Sequence, residues 1–259
     1  MARQARKRSK TGIYHIMLRG IDKRDIFMDD ADRMKFMEKL LKDREIADFK
    51  LYGYCLMDNH IHLLIGETEE IGTSIKRITV GYVQWHNYKY TRTGHLFQNR
   101  YASEPVETES YLVNVLRYIH QNPVKAKIIK RSPDYLWSSY NQYISVYQDQ
   151  NTHIDAQLIK EYFKKQENFE EYMNAPNKDE YLDYEPVKKY TDTMLRNILQ
   201  KEIDVSNLKE IPVKERDKII KDIYHRKGIS IRQLGRVLEI GKTIIEKAAR
   251  QDKRNVPLS

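Results

Sequence analysis

The stretch MDNHIHLLIG, Met57–Gly66, sets two histidines, His60 and His62, into a short apolar run with one isoleucine between them. Side chains alternate along a strand with period two. His60, His62 and Leu64 therefore share one face, while Ile61, Leu63 and Ile65 take the other and can enter a core. The preceding FKLYGYCLM, Phe49–Met57, is also β-forming, and Asp58-Asn59 between the two runs is turn-like. The two imidazoles are expected side by side, pointing out of a sheet, an arrangement that suits two ligands on one metal ion. Two histidines on an ordinary exposed edge would look the same, because H-x-H alone is a weak signal.

Outward from this hairpin, TGIYHIMLRG (11–20) alternates and reads as a strand. DDADRMKFMEKLLKDREIA (29–47) opens on Asp caps and places Met34, Met37, Leu40 and Leu41 at helical spacing. GTSIKRITVGYVQWHNYKY (72–90) is a second amphipathic helix and YASEPV (101–106) a further strand. TESYLVNVLRYIHQN (108–122) is a helix that Pro123 is expected to stop. The order β-α-β-β-α-β-α predicts the α+β class, a ferredoxin-like antiparallel sheet with helices packed on one face. No glycine falls between Gly94 and Gly228, so the later part reads as mostly helical.

The 259 residues, 40% hydrophobic and 32% charged, can bury one good core and a second small module. No apolar run is long enough to span a bilayer. The basic start MARQARKRSK is not followed by the apolar segment of a secretory signal. One cysteine, Cys55, excludes an internal disulfide and cysteine-based zinc modules, and fits a reducing cytoplasm. The formal net charge is +9, and five of the first ten residues are Lys or Arg. This points to a polyanionic partner, nucleic acid rather than a membrane, and to a cytoplasmic, nucleoid-associated protein. A solvated basic tail would carry the same charge.

The expected domains are 1–145, an α+β domain with a basic arm, 146–186, a helical connector, and 187–259, a helical module. In the last, Gly228 suits the end of one helix, and Ser230 with Gln233 forms a capping box for the next. A short turn at Glu239–Gly241 leads into KTIIEKAAR. Ile231, Leu234, Val237, Leu238, Ile240, Ile244 and Ile245 are the expected core, with Lys242, Thr243, Glu246, Lys247 and Arg250 on the outer face. This is the pattern of a DNA-binding helix-turn-helix, although any helical hairpin can resemble it, and Glu239 stands where such turns often use glycine.

The other half of a metal site is expected on a helix packed beside the histidine strand. In 108–122, Leu112, Val115, Leu116 and Ile119 form an aliphatic stripe. Tyr118 and Asn122, four residues apart, lie together at its flank, where a phenol and an amide oxygen could reach one point. The chain has 19 tyrosines, and a tyrosine at such a flank also serves simply to pack with its hydroxyl wet.

Five blocks, GIYHIMLRG, YCLMDNHIHLL, GHLFQNRY, YLVNVLRYIHQNPVKA and WSSY, follow in the order and spacing of the REP-associated tyrosine transposases. These are relatives of the small insertion-sequence tyrosine transposases within the HUH endonuclease superfamily. The resemblance covers about residues 10–143. It implies that His60, His62 and Asn122 hold a divalent metal, Mg²⁺ or Mn²⁺, and that Tyr118 is the nucleophile. It further implies cleavage and rejoining of single-stranded, hairpin-forming DNA through a 5′-phosphotyrosine, with no nucleotide cofactor. Asp58 departs from the family, where proline commonly stands. His120 is an extra imidazole that could compete with Asn122 as third ligand. Arg100 and the arm with Arg3, Arg6, Lys7, Arg8 and Lys10 are candidate DNA contacts, joined by Lys242, Thr243, Lys247 and Arg250. The rival reading is a non-catalytic, sequence-specific DNA-binding regulator derived from such a transposase. A homodimer and a monomer both remain open.

Overall fold

The Asp58-Asn59 turn lies inside a four-stranded antiparallel sheet. The computed structural model describes residues 6–98, 100–177, 181–182, 190–202, 208, 210–224 and 229–249. Strands β1 (Ile13–Arg19), β2 (Lys50–Met57), β3 (His60–Gly66) and β4 (Ala102–Pro105) lie in the order β2-β3-β1-β4. All pairings are antiparallel. This is the expected ferredoxin-like α+β arrangement. The hairpin pairs Met57 with His60 across the two-residue turn. Its Asp58 carbonyl accepts from Ile26 N–H at 2.7 Å and Phe27 N–H at 3.0 Å, which ties the turn to the chain entering the first helix.

Helix α1 (Asp30–Ala47) starts where Asp29 accepts from Asp32 N–H at 3.0 Å and Asp32 returns a bond, a reciprocal cap. Phe36 and Leu40 are buried on its inner side, whereas Met34, expected in the stripe, is 58% exposed. α1 packs on β2 and on α2 (Ile71–Lys89). There Tyr82 meets Phe27 and Phe36, and its hydroxyl donates to Ile26 O at 2.6 Å.

Helix α3 is Glu109–Lys125, capped by the Thr108 hydroxyl. Pro123 does not stop it. A proline removes one N–H and crowds the carbonyl four residues back. Here the loss falls in the last turn, which still closes through Ala126 N–H to Asn122 O at 2.9 Å. Leu112, Val115, Leu116 and Ile119 are all buried, as the stripe predicts.

The helices do not all share one face of the sheet. Leu116 of α3 lies where a Cβ on Gly53 would meet it at 2.6 Å, and Gly53 pairs with Leu64 on the histidine side. Ile61, Leu63 and Ile65 on the opposite side are also fully buried. Both faces are therefore covered, with α3 against the one that carries the histidines.

The chain divides into two compact units, 1–183 and 184–259. The first includes α4 (Tyr140–Tyr147), α5 (Gln157–Tyr162) and α6 (Gln166–Asn174). Ile154, Ile159, Phe163, Phe169 and Met173, from the stretch expected as a connector, are buried in the core of this unit. The second holds α7 (Asp192–Glu202), α8 (Val213–Tyr224), α9 (Ile231–Leu238) and α10 (Lys242–Ala249) around its own core. Ser230 caps α9 by accepting from Gln233 N–H at 3.1 Å. The Gln233 side chain donates to Tyr190 O instead of closing the box. Glu239 ends α9 at φ 54°, the left-handed conformation glycine would adopt more readily. Leu234, Val237, Leu238, Ile240 and Ile245 are buried, but Ile244 is 39% exposed because Ile245 and Ala248 form the inward side of α10. Among the described residues no helix is long and apolar enough to cross a membrane. Arg3, Gly228 and Arg250 lie outside the described residues.

Candidate active site

His60 opens β3 and meets Asn122 from α3. Its Nδ1 lies 2.7 Å from Asn59 Oδ1 and its Nε2 lies 3.2 Å from Asn122 Oδ1. A neutral imidazole donates through one nitrogen only. With the Nδ1 hydrogen given to Asn59, Nε2 and Asn122 Oδ1 face each other as two lone-pair atoms, which suits a shared cation.

His62 is fully buried, contrary to the expectation that its face points away from the core, because α3 covers it. Its Nδ1 lies 3.0 Å from Nε2 of His15, and the two rings stack with centroids 5.1 Å apart. His62 Nε2 is buried with no hydrogen-bond partner among the described residues, a second donor atom that a metal would satisfy. Burial chiefly holds the His62 pKa well below the usual imidazole range, reinforced by His60, His15 and Arg19. Burial alone pulls His15 down to about 3. Both rings are thus neutral, the form that can bind metal. Among the described residues no three His, Cys, Asp or Glu side chains gather as a metal site, so this donor set rests on two imidazoles and an amide. The set fits a divalent metal in chemistry.

Tyr118 stands beside this pair. Its ring is perpendicular to His62 at 5.5 Å between centroids and edge-on to His15 at 5.9 Å. Instead of a wet hydroxyl at the flank, Tyr118 has no exposed surface; Tyr181 packs edge-on at 5.3 Å and Lys125 Nζ lies 4.8 Å from the ring centroid. The sheet and α3 bring His60, His62, Tyr118 and Asn122 together.

His120 does not join them. Two residues on from Tyr118, it lies across the helix. There its Nε2 bonds Ser139 Oγ at 2.8 Å among Tyr140, Tyr143 and Phe169. His15 and Arg19 were missed from the sequence. Alternation in β1 puts His15, Met17 and Arg19 on one face, but only the register, Met17 opposite His62 and Arg19 opposite His60, brings that face to the site.

The basic arm lies elsewhere. Arg6, Lys7, Arg8, Lys10 and Arg100 line an open cleft with Gly12, Tyr14, Glu67 and Tyr101. Arg6 donates to Tyr101 O at 2.8 Å and lies 3.7 Å over its ring. Gly12 and Glu67 flank the end of the sheet opposite His60, about 20 Å away along six residues of strand. In the second unit Lys242, Thr243 and Lys247 are exposed on α10, with Lys242 3.5 Å from Glu246.

A family model described as "Transposase IS200 like" matches residues 9–122. Among solved structures, the chain is similar to the REP-associated tyrosine transposase bound to a REP hairpin. The identity is 15% over 59% of this chain and 90% of that one, with a TM-score of 0.49. It is also similar to a protein from Deinococcus radiodurans R1 provisionally described as a transposase. There the identity is 15% over 46% of this chain and 96% of that one, with a TM-score of 0.33. No curated protein matches. The segment that matches the IS200-like transposase model, residues 9–122, carries the whole sheet, both strand histidines, Tyr118 and Asn122.

Proposed function

We propose that the protein is a metal-dependent DNA transposase that nicks and rejoins single-stranded, hairpin-forming DNA with Tyr118 as nucleophile. The observation that carries this is the meeting of Tyr118 with His62 on the sheet face where His60 Nε2 and Asn122 Oδ1 oppose each other. His60, His62 and Asn122 would hold Mg²⁺ or Mn²⁺, the latter more at ease with imidazole, and the ion would supply Lewis-acid polarisation of the scissile phosphate. Tyr118 Oη attacks phosphorus, the bond from phosphorus to the 3′ oxygen breaks, and that oxygen takes a proton. A 5′-phosphotyrosine and a 3′-hydroxyl result. Reversal by a 3′-hydroxyl rejoins the strand without a nucleotide cofactor. Because Tyr118 is fully buried, its hydroxyl reaches DNA only when the side chains packed on it give way, Tyr181 among them.

The exposed cations of the amino-terminal cleft, and those of α10 in the second unit, support phosphate contacts. Lys242, Thr243 and Lys247, on the second of two helices joined by a tight turn, support a helix-turn-helix reading of the second unit. The test is incubation with a labelled single-stranded hairpin and Mn²⁺, followed by denaturing electrophoresis. A protein–DNA adduct is expected. Binding without an adduct would leave a DNA-binding regulator.

A further inference from the structure

We propose that His15 is a positioning residue for the metal site: its Nε2 accepts the Nδ1 hydrogen of His62 and so keeps His62 Nε2 bare as the ligand atom. The inference rests on the reading of His60, His62 and Asn122 as metal donors. One neutral ring must donate and the other accept across the 3.0 Å contact between them, so their protons are linked. If His15 donates, the hydrogen of His62 sits on Nε2, and that atom cannot ligate. If His62 donates, its Nε2 presents a lone pair and the hydrogen of His15 sits on Nδ1. Each arrangement leaves one buried N–H unmet among the described residues, since His15 Nδ1 and His62 Nε2 both lack partners.

The surroundings decide between them. His15 lies opposite Leu64, toward one end of the face, while His60 and Arg19 lie toward the other. Nδ1 of His62 faces His15, so Nε2 is turned away from it. That end of the face carries the positive Arg19, opposite His60, and toward a positive charge a lone pair is favoured and an N–H is not. Asn59 Oδ1, 2.7 Å from His60 Nδ1, offers that ring the same kind of acceptor. With each imidazole ligand giving its Nδ1 hydrogen to such an acceptor, ring and tautomer are fixed and Nε2 is left for the metal.

The test uses the full-length protein. In the metal-free ¹⁵N-labelled wild type, NMR should find His62 with a pyrrole-type Nδ1 and a pyridine-type Nε2. By calorimetry, His15→Phe should weaken Mn²⁺ binding roughly ten- to hundred-fold. His15→Gln, which keeps an acceptor oxygen, should bind close to wild type. A wild-type proton on Nε2 overturns the proposal, as does a folded His15→Phe with wild-type affinity. A folded His15→Gln that binds as weakly as His15→Phe also overturns it. If His15→Phe fails to fold, the tautomer and His15→Gln still decide. Unchanged Mn²⁺ affinity in His62→Ala would instead refute the metal-site reading, while the metal-free tautomer measurement would still judge His15.

Discussion

His60 Nε2 and Asn122 Oδ1 lie 3.2 Å apart, the first on a strand, the second one turn beyond Tyr118 on the helix that covers it. If the two share a cation, the charge at position 122 controls affinity. Asn122→Asp keeps the oxygen and adds a negative charge, so it should bind Mn²⁺ more tightly than wild type. Asn122→Leu should bind more weakly. Isothermal titration of both variants checks this, and equal affinities would remove Asn122 from the metal set.

The two histidines should differ in stability cost but agree in function. His60 is only partly buried, so His60→Ala should cost under about 1 kcal/mol, as partly exposed substitutions commonly do. His62 is fully buried and bonded to His15. His62→Ala leaves a cavity and an unmet imidazole, and should cost about 2–4 kcal/mol in urea unfolding. Both should lose Mn²⁺ binding and cleavage. Equal unfolding midpoints for the two variants would contradict the burial argument.

His120→Ala should separate packing from chemistry. It removes the bond to Ser139 and opens space among Tyr140, Tyr143 and Phe169. The expected loss is about 2–4 kcal/mol, with Mn²⁺ affinity retained. A drop in affinity in the folded variant would return His120 to the metal shell.

The sheet was legible because each of its four strands alternates or runs apolar between turn signals, and its two crossovers have helical period. The depth of His62 was not, because strand alternation says which residues share a face and nothing of what covers that face. α3 buries the histidine side, so a face read as outward became interior. Pro123 misled for a related reason: its effect depends on how many turns follow, and only the last one does. His15 needed the β1–β3 register, which pairs Met17 with His62 and lies outside any local pattern. In α10, Ile244 and Ile245 are adjacent apolar residues, and periodicity alone did not tell which one turns inward.

The second unit has its own buried core, so removing residues after Asp183 should leave the first unit folded. Circular dichroism should show a cooperative melt, and adduct formation on a short hairpin should remain measurable. DNA affinity should fall, and its salt dependence should become shallower as phosphate contacts are lost. A truncation that binds DNA as tightly as the full chain would deny the second unit a part in binding.

Tyr118 is expected to carry the covalent bond to DNA. Tyr118→Phe removes only the attacking oxygen and keeps the packing of the ring against His62 and His15, so the fold should survive. DNA binding should persist while cleavage disappears. Tyr111→Phe, on the same helix and also packed against Tyr181, should remain active. The most direct measurement is peptide mapping of the adduct trapped on a single-stranded hairpin with Mn²⁺. A modified peptide carrying Tyr118 is expected. An adduct on any other tyrosine, or robust cleavage by Tyr118→Phe, would contradict it.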